Sequence, residues 1–177
     1  FEVEGGMRHD QIFHARSAAS GTWKTSAALK HATGNLLPPN IPYVEGSRVE
    51  DGRWFVQGYG EFVDPEFGAT SRPEWAELAD STGRGVRLHL LTDAPMGIIK
   101  ASTPDAAESA DDSGKAKRSS LLVRKFSRDG SNLSSTFVTV IEPFGGPQLK
   151  AVGRIRTDNE LVVVQIETKE GVEYVVV

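Results

Sequence analysis

Two histidines and an aspartate share the stretch Gly5-Gly6-Met7-Arg8-His9-Asp10-Gln11-Ile12-Phe13-His14. Side chains of these types ligate metals, transfer protons or hydrogen-bond along a polar seam. If Arg8 to Arg16 is one regular strand, Asp10, Ile12, His14 and Arg16 project to one face, and His9, Gln11 and Phe13 to the other. His9 and His14 then reach a common ion only across a bulge. A metal needs three or four convergent ligands. The chain holds four histidines, His9, His14, His31 and His89, with no H-x-H or H-E-x-x-H spacing and no cysteine. No metal site and no cofactor are expected. The stretch reads as a strand in which one histidine faces solvent or a cleft and the other hydrogen-bonds across the sheet, or as a polar patch touching a ligand or a neighbouring domain.

Other chemistries find less support. In Val86-Arg87-Leu88-His89-Leu90-Leu91, His89 shares a face with Arg87, which reads as a solvated face. His31 falls in a polar loop. The stretch Ser20-Gly21-Thr22-Trp23-Lys24-Thr25-Ser26 lacks the glycines of a phosphate loop. No G-x-S-x-G nucleophile elbow occurs. Asn132-Leu133-Ser134 fits a glycosylation acceptor, a match expected by chance in a chain of this length. No catalytic residue is assigned. Trp23, Trp54, Tyr59 and Trp75 would either stack on sugar rings or fill a core.

The elements that must position these groups follow from composition and periodicity. With 177 residues, 38% hydrophobic and 25% charged, the chain suits one domain with a real core. A net charge of −4 and scattered Lys and Arg argue against nucleic acid as a partner. No apolar run reaches the length that spans a bilayer as a helix, so a membrane partner is not expected. Period-2 alternation marks strands at Phe1–Glu4, Gln11–Ala18, Thr22–Ser26, Arg53–Phe62, Val86–Thr92, Gly97–Ser102, Ser120–Ser127, Thr136–Glu142, Lys150–Arg156, Leu161–Thr168 and Val172–Val177.

These strands predict an all-β fold, an antiparallel β-sandwich of two packed sheets. Lys169-Glu170-Gly171 predicts a tight hairpin between the last two strands. Pro73–Asp80, with proline in the first turn and acids early, predicts one short helix. Ser102–Lys115, acidic and nearly free of apolar side chains, predicts a mobile loop, and Asn35–Pro42, with three prolines, an extended one. Both ends read as strands, so a piece of a longer chain is expected.

The blocks "FEVEGGMRHDQIFHARS" (1–17) and "SSLLVRKFSRDGSNLSSTFVTVIEPFGG" (119–146) resemble the C-terminal β-domain of the heparinase II/III-like polysaccharide lyases. In that family a strand ending in a Gly-Gly turn is followed by His-Asp and a further histidine, matched here by Gly5, Gly6, His9, Asp10 and His14. A later strand pair is matched by Leu121–Phe126 and Thr136–Pro143. The resemblance implies cleavage of uronate-containing polysaccharides such as glycosaminoglycans or alginate by β-elimination. In it a base removes the proton beside the uronate carboxylate and an acid protonates the leaving oxygen. In the family an N-terminal helical toroid supplies a tyrosine, and an "NH-x-H-x-D" type block often carries a metal. This chain shows neither. The resemblance therefore implies a β-sandwich that is inactive alone and works with an upstream helical catalytic domain on an acidic polysaccharide. His9, Asp10, His14 and Trp23 are its expected substrate contacts, and a periplasmic or secreted setting is implied. The alternative is a non-catalytic carbohydrate-binding or structural module.

Overall fold

The computed structural model describes residues 2–4, 8–15, 23–31, 47–50, 53–56, 59–80, 82–92, 95–104, 117–126, 131–144, 148–156 and 161–176. All regular elements among them are strands: β1 (Glu2–Glu4), β2 (Arg8–Ala15), β3 (Lys24–Thr25), β4 (Lys30–His31), β5 (Ser47–Glu50), β6 (Arg53–Val56), β7 (Tyr59–Thr70), β8 (Glu74–Ala79), β9 (Gly85–Leu90), β10 (Met96–Pro104), β11 (Lys117–Phe126), β12 (Ser134–Thr136), β13 (Thr139–Pro143), β14 (Ala151–Arg156), β15 (Val162–Glu167) and β16 (Val172–Val176). Every pairing is antiparallel. The largest sheet runs β2-β11-β10-β7-β6-β5, with β4 added beside β7. A second runs β13-β9-β8-β3, a third β14-β15-β16, and β1 pairs with β12.

Alternation explains how the two larger sheets meet. Met96 and Ile98 of β10 and Leu121 and Val123 of β11 project from the largest sheet into one core. Ala76 of β8 and Leu88 and Leu90 of β9 enter it from the second sheet, and Trp23, Ala27 and Phe137 complete it. Two antiparallel sheets face each other across these side chains, the arrangement of a β-sandwich. Ile99, Ala101 and Leu122 are buried on the opposite face of the largest sheet, so its central strands are apolar on both sides. The third sheet extends the stack, Val162 and Val164 packing with Leu91 and Val138 and against the half-buried Val140.

Pro65 stands inside β7, where a proline cannot donate to the ladder. The register with β10 shifts there, from Lys100↔Glu66 to Ser102↔Val63. On the other edge the partner changes from β6, at Tyr59 and Val63, to β4, at Glu66 and Phe67. The proline therefore occupies a bulge between two partners.

The expected helix is corrected, and His31, expected in a loop, stands in β4 opposite Glu66 of β7. Pro73–Asp80 is no helix; Glu74–Ala79 is strand β8, paired along its whole length with β9. Glu74 and Ala76 are buried and Trp75 is exposed, a period of two rather than 3.6. The early acids and the proline resemble a helix start, but a six-residue segment gains more from a ladder with β9 and from core burial than from two helical turns. Glu74 serves instead as a corner post where the chain leaves the largest sheet for the second. Thr70 Oγ1 donates to its Oε1 at 2.9 Å, Arg72 Nε donates at 3.2 Å, and Ser26 Oγ donates to Oε2. Burial works to raise the Glu74 pKa, and these donors outweigh it, leaving the carboxyl below its usual range.

The hairpin at Lys169–Gly171 is present, closed by the Thr168 N–H donating to the Gly171 carbonyl at 2.8 Å. Ser102–Pro104, expected within a loop, continues β10; residues 105–116 lie outside the described residues, as does Asn35–Pro42. The β8–β9 turn is built on Asp80, whose Oδ1 accepts from the Thr82 and Arg84 N–H groups, with Gly83 at φ 80°. These donors, the Thr82 hydroxyl foremost, hold the Asp80 pKa at about 2.

Gly85, the first residue of β9, lies against β8 so closely that a Cβ would stand 1.9 Å from the Leu78 carbonyl oxygen. Backbone there has no room to yield. Gly85→Ala is expected to cost at least about 2 kcal/mol of unfolding free energy, from overpacking against a fixed strand, measured by urea denaturation. Gly153→Ala, where nothing lies within 4 Å of the added carbon, should change stability little.

Candidate functional site

The residues singled out in the sequence come together as a seam between strands far apart in the chain. β2 pairs with β11, placing Asp10 directly opposite Arg124. Arg124 Nε donates to Asp10 Oδ1 at 2.7 Å and Nη2 to Oδ2 at 2.9 Å, a bidentate fork with both side chains 4% exposed. On the other face of β2, Thr139 Oγ1 donates to Gln11 Oε1 at 3.0 Å, tying the edge of the largest sheet to β13 of the second. His9 projects to that same inner face and is buried, its backbone opposite the likewise buried Lys125. The His14 backbone pairs with Ser120. Trp23 is 4% exposed, and its indole N–H donates to the Ser119 carbonyl at 3.1 Å. The indole belongs to the core, with no open ring face for a sugar. The structure thus joins His9, Asp10 and His14 on one strand, enclosing the first two side chains, and places Trp23 in the core between the sheets.

A second constellation lies on the outer face of the second sheet. Glu77 of β8, Arg87 of β9 and Glu142 of β13 stand in register across three strands, and Lys24 of β3 opposes Glu77. Charges alternate along this rung. Arg87 Nε donates to Glu77 Oε1 at 2.6 Å, and Nη2 donates to the same oxygen. Nη1 stands 3.9 Å from Glu142 Oε2. The neighbouring rung is Trp75, His89 and Val140. Trp75 is 37% exposed, and the Arg87 guanidinium lies 5.5 Å from its ring centroid, within cation–π range.

Glu142 is the hub. Its Oε1 accepts the Leu149 N–H at 3.0 Å and its Oε2 meets His89 Nε2 at 2.8 Å. Burial works to raise its pKa; the Leu149 N–H, His89 and the Arg87 charge together outweigh burial and hold the carboxyl below its ordinary range. A carboxylate only accepts, so His89 Nε2 carries the proton. Arg87 and Glu142 line a cleft of about 420 Å³ together with Gly83, Phe144, Gln148 and Leu149. The cleft presents a guanidinium, a carboxylate, a carboxamide and one aromatic wall, a set suited to binding a polar ligand by hydrogen bonds. Among the described residues no three His, Asp or Glu side chains are placed to hold a metal ion.

His89 and Arg87 share a side, as alternation predicts, but the sequence does not mark their partners: Glu77 falls in the expected helix, and nothing places β13 beside β9. The available signal was alternation: Glu77, Arg87 and Glu142 each occupy a period-2 position opposite in sign to the next strand's. No protein-family model matches the chain, and no curated protein matches it.

A carboxylate whose folded pKa is lowered contributes stability that is complete above its unfolded value and is lost as pH falls through the folded one. Glu142→Gln is therefore expected to lower stability at neutral pH by about 1–3 kcal/mol. It should also flatten the fall in stability between roughly pH 5 and 3, followed by urea unfolding at a series of pH values. A slope equal to the unaltered protein's would show that Glu142 is not held in its charged form by these partners.

Proposed function

We propose that this chain is the β-sandwich region of a heparinase II/III-like polysaccharide lyase, supporting β-elimination by catalytic residues upstream of it. One observation supports the reading above others. The two blocks that carry the resemblance are separated by more than a hundred residues, yet Arg8–Ala15 and Ser119–Phe126 are hydrogen-bonded neighbours in continuous register. The later part of the second block joins them through Gln11 and Thr139. Residues matched as a pattern also act as one physical unit.

On this reading the enclosed Asp10 and His9 hold that unit together and take no part in proton transfer. A general base must come within hydrogen-bond reach of the substrate proton, and a carboxylate already locked in a buried bidentate pair does not. On this reading the domain supplies a rigid wall to a cleft whose acid and base lie elsewhere, and the substrate is an acidic polysaccharide. A second reading, a free-standing sandwich that binds glycans, draws on the exposed Trp75 and the cleft beside Arg87.

Affinity electrophoresis through gels carrying heparan sulfate, alginate, hyaluronate, pectin or a neutral glucan separates the two. The lyase reading expects retardation by one acidic glycan, weakened in a His14→Ala variant, and no ultraviolet absorbance from unsaturated uronate when the chain alone meets that glycan. Turnover by the isolated chain would contradict it. Retardation by the neutral glucan alone would favour the free-standing module.

A further inference from the structure

We infer that the cleft beside Arg87 and Glu142 is a binding site for a neutral, hydroxyl-bearing ligand, a sugar residue without a carboxylate or sulfate. The inference does not depend on the lyase reading and concerns a different face of the molecule from the Asp10–Arg124 seam. Its basis is a gap. Glu77 engages Nε and Nη2 of Arg87, which fixes the guanidinium plane and leaves Nη1 towards Glu142. Glu142 is fixed in turn by Leu149 and His89. Between these two held groups the distance is 3.9 Å, too long for a direct hydrogen bond. It is the span across which one oxygen, at about 2.8 Å from each, bridges donor and acceptor.

Chemistry selects what that oxygen belongs to. It must accept from Arg87 Nη1 and donate to Glu142 Oε2. A hydroxyl does both. A carboxylate or sulfate only accepts, and it would meet the charges of Glu77 and Glu142 against the single Arg87 guanidinium. An ammonium only donates and meets the guanidinium. Beyond the bridge, Gln148 is exposed at the cleft wall with a carboxamide that both donates and accepts, and half-buried Phe144 offers an apolar surface for the C–H face of a pyranose. A cleft of about 420 Å³ has room for a sugar residue. The Arg87 guanidinium lies over the Trp75 ring, so the fluorescence of Trp75 reports a ligand that shifts the guanidinium.

The test titrates the chain with cellohexaose, maltohexaose, xylohexaose and mannohexaose, followed by calorimetry and tryptophan fluorescence, with glucuronic acid as the charged control. At least one neutral hexasaccharide is expected to bind with Kd on the order of 1 mM or tighter. Arg87→Lys should weaken it at least tenfold, and so should Gln148→Ala, an exposed position whose loss leaves the fold intact. Glucuronic acid should not compete. No binding by any of the four, binding unchanged in both variants, or equal binding of glucuronic acid would each overturn the assignment. Retardation by acidic glycans in the gels should be unaffected by Gln148→Ala, so failure here leaves the lyase reading standing and failure there leaves this site standing.

Discussion

Among the described residues, the buried pair between Asp10 and Arg124 fixes the register of an edge strand and with it much of the largest sheet. Taking two charges out of water costs several kcal/mol per ion, and only close, bidentate geometry offsets it. The fork between β2 and β11 meets that condition with both side chains 4% exposed. Register follows. A slip of one residue would turn Asp10 to the opposite face, break its bidentate fork with the buried Arg124, and carry Phe13 out of the core it packs against. The pair therefore specifies where an edge strand lies, and Gln11 reaches Thr139 because of it.

From that register the layers follow outward. The largest sheet presents Met96, Ile98, Leu121 and Val123 to the second sheet, and the second sheet receives the third around Val140. The third sheet covers only part of the second sheet's outer face. Where its cover is apolar, Val140 packs with Val162 and Val164; further along, the same face carries Glu77, Arg87, His89 and Glu142 and opens into the cleft. A core boundary and a candidate site are thus two ends of one sheet face.

Much of the architecture was legible in the order of residues, because strands with one or both faces buried must alternate or run apolar. Alternation marked the core strands β9, β10, β11 and β15, and glycine in a short polar spacer marked the last hairpin. Three kinds of feature were not. Lys30–His31 and Ser47–Glu50 are too short and polar to carry a period, and they are strands because β7 and β6 offer edges to pair with. Glu74–Ala79 satisfies helical end signals and strand alternation alike, and only the neighbouring β9 decides between them. The rung of Glu77, Arg87 and Glu142 depends on which strands are neighbours, and that is a property of topology. The Asp10–Arg124 pair was half legible: the face of Asp10 followed from strand period, while its partner lay 114 residues away.

A double-mutant cycle on Asp10 and Arg124 tests the central role of this pair most directly, using Asp10→Leu, Arg124→Met and the two combined, with unfolding free energies from urea denaturation. Each single change is expected to cost about 3–5 kcal/mol, because it removes the bidentate partner of a buried charge, and the double change to cost less than either. Single effects that simply add, to within about 0.5 kcal/mol, would contradict it. They would show that the two side chains do not hold one another and that the register of β2 is set elsewhere.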